Sequence, residues 1–101
     1  MTTETMTVPS DEPGVTLTCE VLARFSATVQ GEPFGFAVLK VPGSKYLSVT
    51  ALPSRKRLGW LDYLHPRTAT TSELISEGRR LVKEKVSVHG EARVRAVLAG
   101  G

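Results

Sequence analysis

The sequence is poor in the residues that build disulfide-stapled or membrane-spanning proteins. Its 101 residues include one cysteine, Cys19, so an intrachain disulfide is impossible and a reducing compartment is expected. No apolar run approaches the roughly 20 residues that span a bilayer, and residues 1–14 show no signal-peptide pattern. We therefore expect a cytoplasmic protein without a membrane partner.

Residues that carry catalysis or hold cofactors are equally sparse. The only histidines, His65 and His89, do not complete a four-ligand zinc site with a single cysteine. The sequence has no glycine-rich phosphate loop, no nucleophile elbow and no carboxylate pair typical of acid/base chemistry. We expect no metal, no cofactor and no enzymatic activity.

Negative charge is scarce after residue 14. Residues 1–14 carry three acidic residues and no Lys or Arg, whereas the rest of the chain carries thirteen basic and seven acidic residues. This balance suits a polyanionic partner, although a domain of this charge can be basic for solubility alone. The composition of residues 1–14, rich in Thr, Glu, Pro and Ser, predicts a flexible N-terminal tail, and residues 15–99 are of a length to form one domain.

Strict alternation dominates the first half of this domain. Every second residue from Val15 to Val29 is apolar, which predicts a strand long enough to bend around a core. Phe34 to Val41 and Lys45 to Leu52 predict two further strands, and Pro42-Gly43-Ser44 is typical of the turn between them. Three strands connected in this way form an antiparallel meander.

One short helix is predicted after the meander. Thr70 and Glu73 have the spacing of a capping box, and Gly78 is expected to end the helix within two turns. Alternation returns from Val82 to Leu98, which predicts two final strands. The order β-β-β-α-β-β is that of a mainly β, five-stranded OB-like barrel, with an SH3-like barrel as the alternative.

The spacing of glycine and aromatic residues in two segments is similar to that in a known family. Gly31-Glu32-Pro33-Phe34-Gly35-Phe36 precedes Tyr46-Leu47-Ser48-Val49, and Glu77-Gly78 leads to Val86-Ser87-Val88-His89-Gly90. The chain thereby resembles bacterial single-stranded-DNA-binding proteins and their primosomal replication relatives. The resemblance implies an OB fold, single-stranded DNA as the ligand and a place in DNA replication. The acidic C-terminal peptide of that family is missing, so recruitment of partners through such a tail is not implied.

Cations and large rings are interleaved between Ser54 and Thr71. Cations neutralise phosphates, and flat side chains stack on exposed bases for roughly 1 to 3 kcal/mol each. Trp60 also falls at helical spacing with three leucines, so a structural role as an apolar cap of the barrel is equally consistent with the pattern. The predicted nucleic-acid-binding residues in this loop are Arg55, Lys56, Arg57, Trp60, Tyr63 and Arg67.

The predicted strands add four binding residues: Lys45, Tyr46, Arg93 and Arg95. Together with the loop they predict a non-catalytic protein that binds single-stranded nucleic acid, DNA rather than RNA, as a homo-oligomer because one small barrel offers a short binding track. The alternative is a protein-interaction module, a small subunit or inhibitor that docks on a larger protein complex through the same loop.

Overall fold

A computed structural model of the chain describes residues 4–10, 12–52, 54–61 and 68–99. Five strands precede two helices: β1 (Thr5–Pro9), β2 (Thr16–Val29), β3 (Glu32–Lys40), β4 (Leu47–Ala51), β5 (Arg57–Leu61), α1 (Thr71–His89) and α2 (Glu91–Leu98). The strands form one antiparallel sheet in chain order. A mainly β fold is thus confirmed. In the described part of the chain, neither helix is long and apolar enough to cross a membrane.

The apolar side chains of the long strand β2 change from one face of the sheet to the other at Leu22. Apart from Leu22, its apolar residues occupy odd positions, but its register with β3 shifts between Val21 and Ala23. One additional residue turns the following odd positions to the other face of the sheet. Cys19 and Phe25 therefore belong to two different apolar clusters, although both lie on the same alternating run.

Each face of the sheet has its own apolar cluster. The larger one lies on the face covered by α1, which we call the helix face, and it is centred on Phe25 and Phe36, whose rings stack 5.1 Å apart. The smaller one lies on the opposite face and consists of Val8, Cys19, Ala37, Leu39 and Val41. Among the described residues, no helix residue covers the opposite face, and its smaller cluster consists of strand residues and of Val41, which directly follows β3.

The flexible tail predicted for residues 1–14 is wrong where β1 forms. Thr5 to Pro9 pairs with Glu20 to Thr16 of β2, and Val8 is only 5% exposed in the smaller cluster. The cause is tertiary: β1 satisfies one edge of β2 and covers apolar side chains of the opposite face. A five-residue strand has too short a pattern to be recognised without that partner.

The predicted helix start is confirmed, but the predicted end is wrong. The Thr70 hydroxyl accepts a hydrogen bond from the Glu73 N–H at 3.1 Å, and the Glu73 carboxylate accepts one from the Thr70 N–H at 3.1 Å. The helix then passes through Gly78, where an added Cβ would lie 2.5 Å from the Phe25 ring. Gly78 allows α1 to approach the sheet closely and does not end the helix.

The two strands predicted between Val82 and Leu98 are wrong, because this segment completes α1 and forms α2. Its buried residues also fit a helical period: Val82 lies on the buried face of α1 beside Leu81, and Val94 and Leu98 lie on the buried face of α2. The intervening Glu, Lys, Arg and Ala residues are good helix formers. The order of elements therefore differs from the OB-like order, and the part of the family resemblance that lay in residues 77–90 falls on a helix.

The sheet curls without closing. In a flat sheet, β1 and β5 would lie about 19 Å apart, at roughly 4.8 Å per strand. Nevertheless, Nη1 of Arg55, in the connection between β4 and β5, donates a hydrogen bond to the carbonyl of Thr7 in β1 at 2.7 Å. A side chain, in place of a backbone ladder, thus links the two ends of the described sheet.

Candidate nucleic-acid interface

Strand β5 lies in the segment predicted to be a loop, and its register with β4 determines which side chains share a face. Trp60 pairs with Ser48 of β4 and Arg57 pairs with Thr50, whereas Leu58 has no partner on β4. Because Leu58 is an additional residue in the register, Arg57 and Trp60 lie on the same face although they are three positions apart. That face is the one opposite α1.

Four side chains form a continuous row there, which we call the aromatic row: Lys45, Tyr46, Trp60 and Arg57. The Arg57 guanidinium carbon lies 3.9 Å from the centre of the Trp60 ring, and the Lys45 ammonium lies 5.3 Å from the centre of the Tyr46 ring. The two ring centres are 6.4 Å apart, and their planes meet at 61°. Each aromatic residue is 37% exposed, so surface on both remains available to a ligand.

Buried hydroxyls hold Arg57 in the row. Its Nε donates a hydrogen bond to Oγ of Ser48 at 3.3 Å, and Oγ of Ser48 lies 2.9 Å from Oγ1 of Thr50. Ser48 and Thr50 are 1% and 2% exposed, so this polar pair is satisfied within the sheet. The bond uses only one of the guanidinium donors, and no described carboxylate forms an ion pair with Arg57.

A groove of about 250 Å³ adjoins the row between β5 and the two helices. We call it the basic groove; its lining residues are Arg57, Leu58, Lys85, His89, Arg93, Val94 and Val97. Lys85 passes beside the glycine of β5, since a Cβ added to Gly59 would lie 3.4 Å from its Cε. None of these lining residues is acidic. Arg57 belongs to both the row and the groove, so the two meet at β5, the last strand of the sheet.

The basic run at the β4–β5 connection has mixed roles. Arg55 and Lys56 line a shallow hollow together with Pro9, Arg57 and Val97. Arg55 has a positive φ of 58°, and its guanidinium is bound to the backbone of β1. Arg55 therefore has a structural role, whereas Arg57 is part of the surface just described.

The structure gathers most of the predicted binding residues but not all of them. Lys45, Tyr46, Arg57 and Trp60 form the row, Arg93 lies in the groove, and Lys56 lies in the adjoining hollow. Tyr63 and Arg67 lie outside the described residues.

Arg95 is directed elsewhere, to the turn between β2 and β3. Its Nε donates to the Glu32 carboxylate at 2.7 Å, and this bond lowers the pKa of Glu32 and raises that of Arg95. Both side chains are about half exposed. Arg95 is therefore an ion-pair residue on the side of α2 away from the basic groove.

Lys85 and His89 are the site residues that sequence reasoning missed. Lys85 and His89 have the four-residue spacing of one face of α1, and Arg93 follows at the same spacing on α2, beyond the break at Gly90. This spacing places the three side chains near one another only if the segment is helical, as it is in α1 and α2. Because strands are predicted there from the sequence, the spacing is not recognised.

Comparisons with protein-family models, with curated proteins and with solved structures found no significant match to this chain. The geometry of the row and the groove is therefore the basis on which a function is proposed.

Proposed function

We propose that this protein binds single-stranded nucleic acid, DNA in preference to RNA, without catalysing a reaction. The aromatic row is the observation that supports it. Two partly exposed rings are flanked by a cation at each end. Trp60 and Tyr46 offer stacking surfaces, and Arg57 and Lys45 offer phosphate contacts. Single-strand binders combine these two kinds of contact.

The spacing of the rings favours a single strand over a duplex. Bases within one strand of a duplex lie about 3.4 Å apart, and their neighbours cover their faces. The Trp60 and Tyr46 centres are 6.4 Å apart and their planes are inclined, so bases that stack on both rings must be separated from each other. Only an unpaired, splayed strand offers such bases.

Trp60 is the only tryptophan, so its fluorescence reports on the site directly. We expect quenching on titration with oligo(dT), weaker quenching with oligo(U), and the weakest with a duplex of equal length. Trp60→Ala is expected to weaken binding of oligo(dT), measured by anisotropy of a labelled strand, by roughly 1 to 3 kcal/mol. Trp60→Phe retains a ring and should retain most of the affinity.

Thermal unfolding separates this role from that of an apolar cap. Trp60 lies on the face opposite α1 and is partly exposed, so Trp60→Ala should change the melting temperature little. A loss of about 3 to 5 kcal/mol of stability, without a ligand-dependent signal in the parent protein, would identify Trp60 as a cap and overturn the proposal.

The alternative function is docking on a protein. The exposed valines favour it: Val88 is 69% exposed and Val97 is 39% exposed, and Val97 lines the basic groove. Binding to nucleic acid weakens steeply with salt, whereas docking through apolar side chains is salt-tolerant. Titrations at two salt concentrations therefore distinguish the two functions.

A homo-oligomer and a cytoplasmic location complete the proposal. Four side chains in the row contact only a few nucleotides, and association would lengthen the binding track. The buried free thiol of Cys19 suits a reducing compartment. Light scattering with and without oligo(dT) measures the oligomeric state, and a monomer in both conditions contradicts that part of the proposal.

A further inference from the structure

The basic groove gathers cations without gathering carboxylates. Three arginines elsewhere in the fold form ion pairs, Arg24 with Glu4, Arg80 with Glu77, and Arg95 with Glu32. Among the described residues, no ion pair or side-chain hydrogen bond engages Lys85 or Arg93 in the groove. An anion is therefore the ligand that this groove is suited to bind.

The helix dipole of α1 does not balance this charge. Its C-terminal end, at His89, offers about half of one negative charge. Arg57, Lys85 and Arg93 each carry a full positive charge and line the same groove. A ligand with more than one negative charge fits this imbalance better than a singly charged group does.

We propose that the basic groove binds the terminal phosphate of a nucleic-acid strand. This inference rests on the proposed function and deepens it, because Arg57 joins the groove to the aromatic row. A terminal phosphomonoester carries a charge of about −1.5 to −2 at pH 7 and three acceptor oxygens. A phosphodiester within the strand carries only a single negative charge.

The size and the lining of the groove are compatible with the terminal nucleotide of a strand. Its volume of about 250 Å³ is slightly below the range of about 300 to 1,000 Å³ for small-molecule pockets, which limits the ligand to a small end group. Leu58, Val94 and Val97 supply an apolar lining for a sugar or a base edge, while the cations supply the phosphate contacts. A strand that stacks on Trp60 reaches the groove at Arg57, the residue that the row and the groove share.

The test compares oligo(dT) strands of one length that carry a phosphate at the 5′ end, at the 3′ end, or at neither end. At fixed salt, a phosphate at one of the two ends should raise the affinity about tenfold, because it adds charge-assisted hydrogen bonds. The double variant Lys85→Gln/Arg93→Gln should lose this preference while it still binds the strand that has hydroxyls at both ends.

The control removes equal charge elsewhere. Lys40 and Lys83 are exposed and do not line the groove, so Lys40→Gln/Lys83→Gln should retain the preference for a phosphorylated end. Equal affinity of the parent protein for all three strands would overturn the inference and leave the proposed function intact. Loss of the preference in the control variant would also overturn it, since a general charge effect would then explain the data.

A smaller probe keeps the inference testable if no strand binds. Thymidine monophosphate should raise the melting temperature of the parent protein, whereas thymidine should not, and Lys85→Gln/Arg93→Gln should abolish the shift. That result would support phosphate binding in the groove, whereas the absence of strand binding would reject the proposed function. No shift with the monophosphate, or an acidic peptide that binds the groove without competition from the monophosphate, would overturn the inference.

Discussion

Two glycines determine how closely α1 approaches the sheet. A Cβ added at Gly78 would lie 2.5 Å from Cε1 of Phe25, and one added at Gly59 would lie 3.0 Å from Cδ2 of Leu81. The first distance is too short for a van der Waals contact. The Phe25 ring has little room to move away, because it is packed against Phe36. At both positions the missing side chain allows close packing.

Gly78→Ala should therefore destabilise the protein although alanine is the better helix former. Alanine gains about 1 kcal/mol in helix propensity, but overpacking against Phe25 is expected to outweigh this and give a net loss of about 1 to 2 kcal/mol. Denaturant unfolding followed by circular dichroism measures the change. Ser76→Ala, at an exposed position of the same helix, is the control and should not destabilise.

A second substitution tests the cause. If the ring is the obstacle, Phe25→Leu should cost less in the Gly78→Ala background than in the parent protein, because the two substitutions affect one contact. Gly78→Ala that proves as stable as the parent would show that α1 lies farther from β2 than the structure indicates.

Among the elements, β1 has the clearest structural role. It extends the sheet beyond β2, it receives the hydrogen bond from Arg55, it pairs Met6 with Cys19, and it adds Val8 to the apolar cluster that contains Cys19. Cys19 is fully buried, and its burial raises the pKa of the thiol. The reactive thiolate is therefore scarce while β1 is in place.

Val8→Ala should lower the stability by about 1 to 3 kcal/mol. Thr7→Ala alters an exposed side chain of the same strand and keeps the carbonyl that Arg55 binds, so it serves as the control and should change stability little. Deletion of residues 1–9 should reduce the melting temperature more than Val8→Ala does and should make Cys19 react rapidly with a thiol-reactive dye. An unchanged melting temperature and slow labelling after the deletion would show that β1 contributes nothing.

At the scale of the whole molecule, the sheet and helices bring together cations that are far apart in the sequence. The net charge is only +3, yet Lys45 and Arg57 lie in the aromatic row, and Lys85 and Arg93 lie with Arg57 in the basic groove. Arg55, adjacent to Arg57 in the sequence, instead ties β1 to the β4–β5 connection. For the proposed polyanionic ligand, this arrangement matters more than the total charge.

Salt dependence measures this arrangement. For oligo(dT), Lys45→Gln/Lys85→Gln should flatten the slope of log affinity against log salt by about 1.4, at about 0.7 for each phosphate contact on a single strand. Lys40→Gln/Lys83→Gln removes the same charge outside the row and the groove and should leave the slope nearly unchanged. Equal slopes in the two variants would mean that binding depends on net charge alone.

The strands β2, β3 and β4 were predictable from the sequence, as was the start of α1. Their signals are local: alternation over many residues, a Pro-Gly turn, and reciprocal hydrogen bonds between Thr70 and Glu73. The pairing of cations with rings was also visible, because Lys45 adjoins Tyr46 and Arg57 is near Trp60 in the sequence.

The sequence by itself thus determined a mainly β chain with one capped helix start and a basic, aromatic segment. Only the tertiary structure decided that residues 82–98 are helical, because their valines fit both periods and burial against the sheet selects one. It also decided that Leu58 shifts the register of β5, which places Arg57 over Trp60. Bulges and close helix contacts depend on partners distant in the sequence, so no local pattern specifies them.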